Sequence, residues 1–140
     1  RFTIGSPSEA VLKYWEPGAT SPKERLESLE YAFNLGFNTS VSIEPMLDNL
    51  KQIGVLINLC LPYVSDAIWI GKPNRLKSRL SSNGKPLSFN EKLLEFEKWY
   101  SDSEIKNFYE CYQENPQIKW KESIKKVVGV KISSVAGTDA

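Results

Sequence analysis

The sequence predicts an α/β fold built on parallel strands, and three observations carry that expectation. Residues 37–44 alternate Phe37, Thr39, Val41 and Ile43 with Asn38, Ser40, Ser42 and Glu44, the two-residue period of a strand. Two further short apolar runs, RFTIGS at 1–6 and AIWI at 67–70, are each closed by glycine and proline or glycine alone. The stretches between the runs carry the three-to-four-residue apolar spacing of helices. Strands joined through helices cannot turn back in a tight hairpin, so all three run parallel. The pattern by itself leaves undecided whether the sheet is open or part of a closed barrel.

Taken in order, RFTIGS reads as a strand stopped by Pro7, and Ser8 is placed to cap a brief helix over 9–15 with Val11, Leu12 and Trp15 on one face. Glu16-Pro17-Gly18 breaks it. Ser21-Pro22-Lys23-Glu24 is a capping box with proline in the first turn, and Leu26, Leu29, Ala32 and Phe33 form the stripe that follows, up to a stop at Gly36. The central strand ends at Glu44-Pro45, because proline has no amide for the ladder. Leu47, Leu50, Ile53, Leu56, Ile57 and Cys60 mark the next helix, which ends at Leu61-Pro62; AIWI then reads as a fully buried strand. A polar loop, 71–87, carries Lys72, Arg75, Lys77, Arg79 and Lys85 and no acid. Capping boxes at Ser88–Glu91 and Ser101–Glu104 open two helices, one with Leu93, Leu94, Phe96 and Trp99 and one with Ile105, Phe108, Tyr109 and Tyr112. A last helix is expected over 118–128, stopped by Gly129, before a tail that either holds a short strand at 130–132 or frays. The organisation expected is 1–76 as a β-α-β-α-β unit, 77–129 as a loop and helices packed on it, and 130–140 as tail.

Composition narrows the function. The chain has 140 residues, net charge +1, 41% hydrophobic and 25% charged residues, the profile of one soluble domain. That charge gives no general attraction to nucleic acid or anionic lipid. No apolar run is long enough to span a bilayer and no signal peptide is visible, so the cytosol is expected and no membrane partner. There is no histidine, which excludes Ser-His-Asp and Cys-His catalysis and histidine metal ligation within the chain. Cys60 and Cys111 lie too far apart for a local metal or redox motif and are read as small apolar residues on helix faces. The chain starts at Arg1 inside an apolar run and reads as a piece of something longer.

Three stretches, TIGS (3–6), WEPGATSPKERLESLEYAFNLGFNTSVSIEPML (15–47) and IWIGKPNRL (68–76), closed by IKWKESIKKVVG (118–129), together resemble the C-terminal half of a radical S-adenosylmethionine domain. The likeness is to the iron–sulfur proteins related to spore photoproduct lyase and DNA-repair photolyases, and it covers residues 1–129. It implies the C-terminal part of a TIM-like partial (βα)6 barrel with added C-terminal helices, residues 2–6, 39–44 and 67–71 being its fourth, fifth and sixth strands. It also implies two cofactors, S-adenosylmethionine and a [4Fe–4S] cluster. The cluster-binding CxxxCxxC loop and the glycine-rich motif of the second strand are absent here, so the cluster ligands lie outside this chain and the missing N-terminal half of the barrel is the implied partner. Carried over by position, the resemblance sets Thr3 and Ser6 against the ribose or amino-acid part of S-adenosylmethionine and Ser42 and Ile43 against its adenine and ribose. It sets Glu44, Gly71 and Asn74 at the barrel mouth. No catalytic residue and no metal ligand is assigned within the chain, and the substrate stays unnamed.

Each candidate has a plainer reading. Glu44 is either a site carboxylate or a partner for an arginine or for backbone amides, and its place at a strand's C-terminal end favours the first. Glu16 and Arg25 read as a structural ion pair. Thr3 and Ser6 serve equally as turn hydroxyls. The basic loop reads as solvated rather than as a nucleic-acid contact, and Trp99, Tyr109, Tyr112 and Trp120 as core rather than a base-stacking platform. Two rival functions remain: a metal-assisted α/β-barrel hydrolase using Glu44, and a non-enzymatic nucleic-acid- or protein-binding module.

Overall fold

The computed structural model describes residues 1–73 and 89–133. Local sequence sets the helix starts. Ser8 caps α1 (Glu9–Trp15) by accepting the Val11 amide. The box before α2 (Pro22–Asn34) is complete: Ser21 Oγ accepts from the Glu24 amide at 3.2 Å and Glu24 Oε2 from the Ser21 amide at 2.8 Å. Beyond that helix Gly36 takes φ +79°, which costs glycine little and other residues much. Asn49 caps α3 (Leu50–Cys60) by accepting the Gln52 amide at 3.1 Å, and a 3-10 turn (Leu61–Tyr63) follows. Then come α4 (Phe89–Trp99), α5 (Asp102–Tyr112) and α6 (Glu122–Val128). The box expected at Ser101 is not made, since its hydroxyl lies 3.2 Å from Ser103 Oγ and caps nothing. The one expected at Ser88 falls outside the described residues.

Four strands, β1 (Phe2–Thr3), β2 (Val41–Ile43), β3 (Ile68–Ile70) and β4 (Ile118–Trp120), form one parallel sheet in the order β1-β2-β3-β4. Phe2, Val41, Ile68 and Ile118 lie in one register row and Thr3, Ser42, Trp69 and Lys119 in the next. Because side chains alternate across a strand, the two rows face opposite sides. Val41, Ile43, Ile68, Ile70, Ile118 and Trp120 are buried in a core shared with Leu29 of α2, Ile53 and Ile57 of α3, Phe96 of α4, Ile105 of α5 and Ile124 of α6. Each fully buried side chain of that size contributes about 1.5–3 kcal/mol. On the other side Thr3 and Lys119 are exposed and Ser42 and Trp69 half-buried. Parallel sheets are ordinarily covered on both faces; among the described residues this one is apolar on one face and polar on the other.

The parallel direction matches the sequence reading, and three details do not. Residues 118–120 are a strand, not the start of the last helix: the Ile68 amide donates to Gln117 O at 2.8 Å and the Lys121 amide to Ile70 O at 2.9 Å, so the segment is held in the ladder. Ile-Lys-Trp-Lys is too short for its alternation to be told from a helical face. The stretch 77–129 therefore contributes a strand to the sheet built by 1–76. Of the two alternatives left open for 130–132, the strand is not formed. AIWI is buried except at Trp69, which projects to the polar side.

Candidate functional site at the strand ends

Parallel strands deliver their C-terminal ends to one edge of the sheet, where α/β proteins collect ligands. Here residues 44–48 are sewn across that edge. The Gly71 amide donates to Ile43 O at 3.1 Å, the Met46 amide to Gly71 O at 3.2 Å, and the Leu47 amide to Gly5 O at 2.8 Å. The Glu44–Pro45 bond is cis. The exits of β1, β2 and β3 are thus tied into one lip.

Glu44 and Gly71 meet at that lip. A Cβ on Gly71 would stand 2.8 Å from both Cδ and Oε1 of Glu44, so only glycine leaves room for the carboxylate as it lies. Ser42 and Thr3 occupy the polar row below, and neither hydroxyl has a hydrogen-bond partner among the described residues. These four are brought together along one side of the sheet.

Ser6 and Ile43 are elsewhere. Ser6 is fully buried; its hydroxyl donates to Asp48 Oδ2 at 2.7 Å and accepts from the Ser8 amide at 2.9 Å. Ile43 is fully buried in the apolar core, on the side away from Ser42. Asn74 lies outside the described residues, as do Arg75, Lys77, Arg79 and Lys85 of the basic loop. The side chains of Glu16 and Arg25 form an ion pair at 2.6 Å, and Arg25 also donates to Thr3 O at 3.0 Å, which ties α2 to β1. That is a structural use, as the sequence reading held.

Two features of the site escaped the sequence. One is Asp48, which closes the lip from below: besides Ser6, its carboxylate accepts from the Asn49 amide at 2.9 Å, and its carbonyl accepts from the Tyr100 hydroxyl. Burial, with the Asp48 charge second, pushes the Tyr100 hydroxyl well above the usual phenol range. The other is Trp69, whose indole has Arg1 Cζ at 5.4 Å and Lys121 Nζ at 5.0 Å from its ring centroid. Its indole N–H is buried with no acceptor among the described residues. A run of four apolar letters gave no sign that one of them turns the other way.

The cysteines divide. Cys60 is buried in α3, and burial pushes its thiol up to about 12. Cys111 is exposed on the face of α5 and lines a cleft of about 400 Å³ between α3 and α5 with Gly54, Val55 and Phe108. Among the described residues no three Cys, Asp or Glu side chains are grouped to hold a metal, and no helix is long and apolar enough to cross a membrane. No protein-family model, curated protein or solved structure matches the chain.

Proposed function

We propose that this chain is the C-terminal part of a radical S-adenosylmethionine barrel, whose uncovered sheet face and strand ends complete the pocket for cofactor and substrate. The observation that carries the reading is the sheet itself: four parallel strands in sequential order with the helical core on one side and polar residues on the other. Doubly wound sheets reverse their strand order so that helices cover both faces. A sheet that never reverses, with its helices on one side, has the arrangement of a barrel sector, whose second face looks inward.

The fit to the two implied groups differs. Cys60 and Cys111 sit on different helices, one buried and one exposed, and do not suit an iron–sulfur cluster, so no step is assigned to a cluster held here. The lip does suit a polar cofactor. Ser42 and Thr3 offer hydroxyls, Glu44 offers a carboxylate to an ammonium or ribose hydroxyl, and Gly71 allows close backbone approach. S-adenosylmethionine supplies the radical chemistry when bound; this chain's residues would orient it and line its pocket. The same reading sets the protein in the cytosol, in keeping with a free buried thiol.

The test is calorimetry with S-adenosylmethionine titrated into the chain, alone and mixed with a barrel half that carries a CxxxCxxC loop. Binding in the mixture, lost on Ser42→Leu, is the expected result. Absence of binding in both samples sinks the proposal.

A further inference from the structure

Residues 44–48 bond to Gly5 and Gly71, which are themselves strand exits, so the lip needs fixed points from elsewhere. Two come from the C-terminal helices. Tyr100, the residue after α4, donates its hydroxyl to the carbonyl of Asp48, and its buried ring packs edge-on against Phe96. Ser123 of α6 accepts the amide of Lys72, the residue after Gly71, on its Oγ at 2.9 Å. One bond fixes the chain that leaves β2 and the other the chain that leaves β3. Phe96 and Ile124 seat the two helices in the core, so both fixed points are rigid. The ion pair of Lys72 with Asp102, at 4.0 Å and open to water on the acid's side, adds little.

We propose that Tyr100 and Ser123 are positioning residues for the lip: they set where the main chain at Glu44 stands relative to Gly71. The two meet closely, since a Cβ on Gly71 would stand 2.8 Å from Glu44 Oε1. A binding constellation tolerates misplacement of only about 0.5 Å, so slack in either strand exit would be felt there. Ser6 differs from Tyr100 in what it grips. It holds the side chain of Asp48, whereas Tyr100 holds the main chain, which runs straight back through Leu47 and Met46 to Glu44. The C-terminal helices are therefore builders of the site and not an appendage to it. The consequence for binding rests on the reading of the lip as a cofactor wall; the hold on the lip does not.

The test removes one oxygen at a time, with Tyr100→Phe and Ser123→Ala. Ile105→Val, a truncation in the core of α5, controls for lost stability. Backbone hydrogen exchange of the full chain is read first. In Tyr100→Phe the amides of Met46 and Leu47 should exchange at least about fivefold faster, the scale of one lost hydrogen bond. In Ser123→Ala the amides of Met46 and Lys72 should do the same. The ladder amides of Val41 and Ile68 should stay unchanged in both, and Ile105→Val should not loosen the lip selectively. Unchanged lip exchange in either variant, or lip and ladder amides speeding up together, overturns the inference. Calorimetry with S-adenosylmethionine and the complementary barrel half then reads the consequence. Affinity should fall at least about fivefold in Tyr100→Phe and hold in Ile105→Val; a loosened lip with parental affinity overturns the positioning role. A loosened lip in a protein whose parent binds no S-adenosylmethionine removes the cofactor reading and leaves the hold on the lip standing. Binding by the parent with no loosening in the variants removes only this inference.

Discussion

The carboxylate of Glu44 rests directly on the α-carbon of Gly71, in the space a methyl group there would fill. At the neighbouring strand exit Gly5 is enclosed differently: a Cβ would stand 2.8 Å from Pro45 O and 2.7 Å from Leu47 Cδ1. The two glycines therefore predict different costs. In Gly71→Ala the flexible Glu44 side chain swings aside, for less than about 1 kcal/mol. In Gly5→Ala a backbone carbonyl must move, at about 1–3 kcal/mol. Urea midpoints of the two variants check this; a larger loss for Gly71→Ala would mean that Glu44 is held rigidly.

Ser6 and Asp48 join the end of β1 to the start of α3 through a buried 2.7 Å hydrogen bond. Ser6→Ala leaves a buried carboxylate short of one donor, and a loss of about 1–3 kcal/mol is expected in chemical denaturation. Because Ser6 is spent on the fold, its loss should leave cofactor affinity unchanged in the folded protein. A drop in affinity with stability intact would return Ser6 to the site.

Gly54 in α3 faces the hydroxyl of Tyr112 in α5, with a Cβ position only 2.8 Å from that oxygen. Glycine inside a helix costs about 1 kcal/mol relative to alanine, so here close packing outweighs propensity. Gly54→Ala alone should be neutral or destabilising. Combined with Tyr112→Phe, which removes the oxygen, it should be more stable than Tyr112→Phe alone, by up to about 1 kcal/mol. A double-mutant cycle measures the coupling, and strict additivity would refute the contact.

Alkaline pH should unfold the protein. The Cys60 thiol ionises at about 12 when folded against 9.0 unfolded, and the Tyr100 hydroxyl is raised as well. Both are held in their neutral, protonated forms by folding. Above pH 9 the unfolded chain releases the thiol proton first, so stability is complete below about 9 and falls as pH climbs toward 12. The thiol contributes at most about 1.4 kcal/mol per pH unit to that slope. Urea midpoints from pH 7 to 10.5 should decline less steeply in Cys60→Val than in the parent; parallel declines would contradict the assignment.

What the sequence disclosed follows from how local each signal is. The Ser21–Glu24 box and the Gly36 stop are written in adjacent residues and appear as read. Parallel direction followed from helices between strands, which no tight turn can replace. β4 was hidden because Ile118 and Trp120 bracket a single lysine and the sequence runs on into a true helix. The site was half legible. Strand ends singled out Glu44 and Gly71, but alternation already set Ile43 with Val41 on the core side, opposite Ser42. Ile4, just past β1, is fully buried, because the helical core extends over that edge of the sheet. Arg1 and Lys121 over Trp69 could not be read in advance, since their meeting depends on how β1 to β4 lie side by side.

The most direct test is hydrogen exchange with and without S-adenosylmethionine, read along the backbone in the presence of the complementary barrel half. Slowed exchange at the amides of 42–46 and 69–72, with the helices of the opposite face unchanged, is the predicted result. Protection confined to the α3–α5 cleft, or none anywhere, would contradict the claim that the polar face and its strand ends form the binding wall.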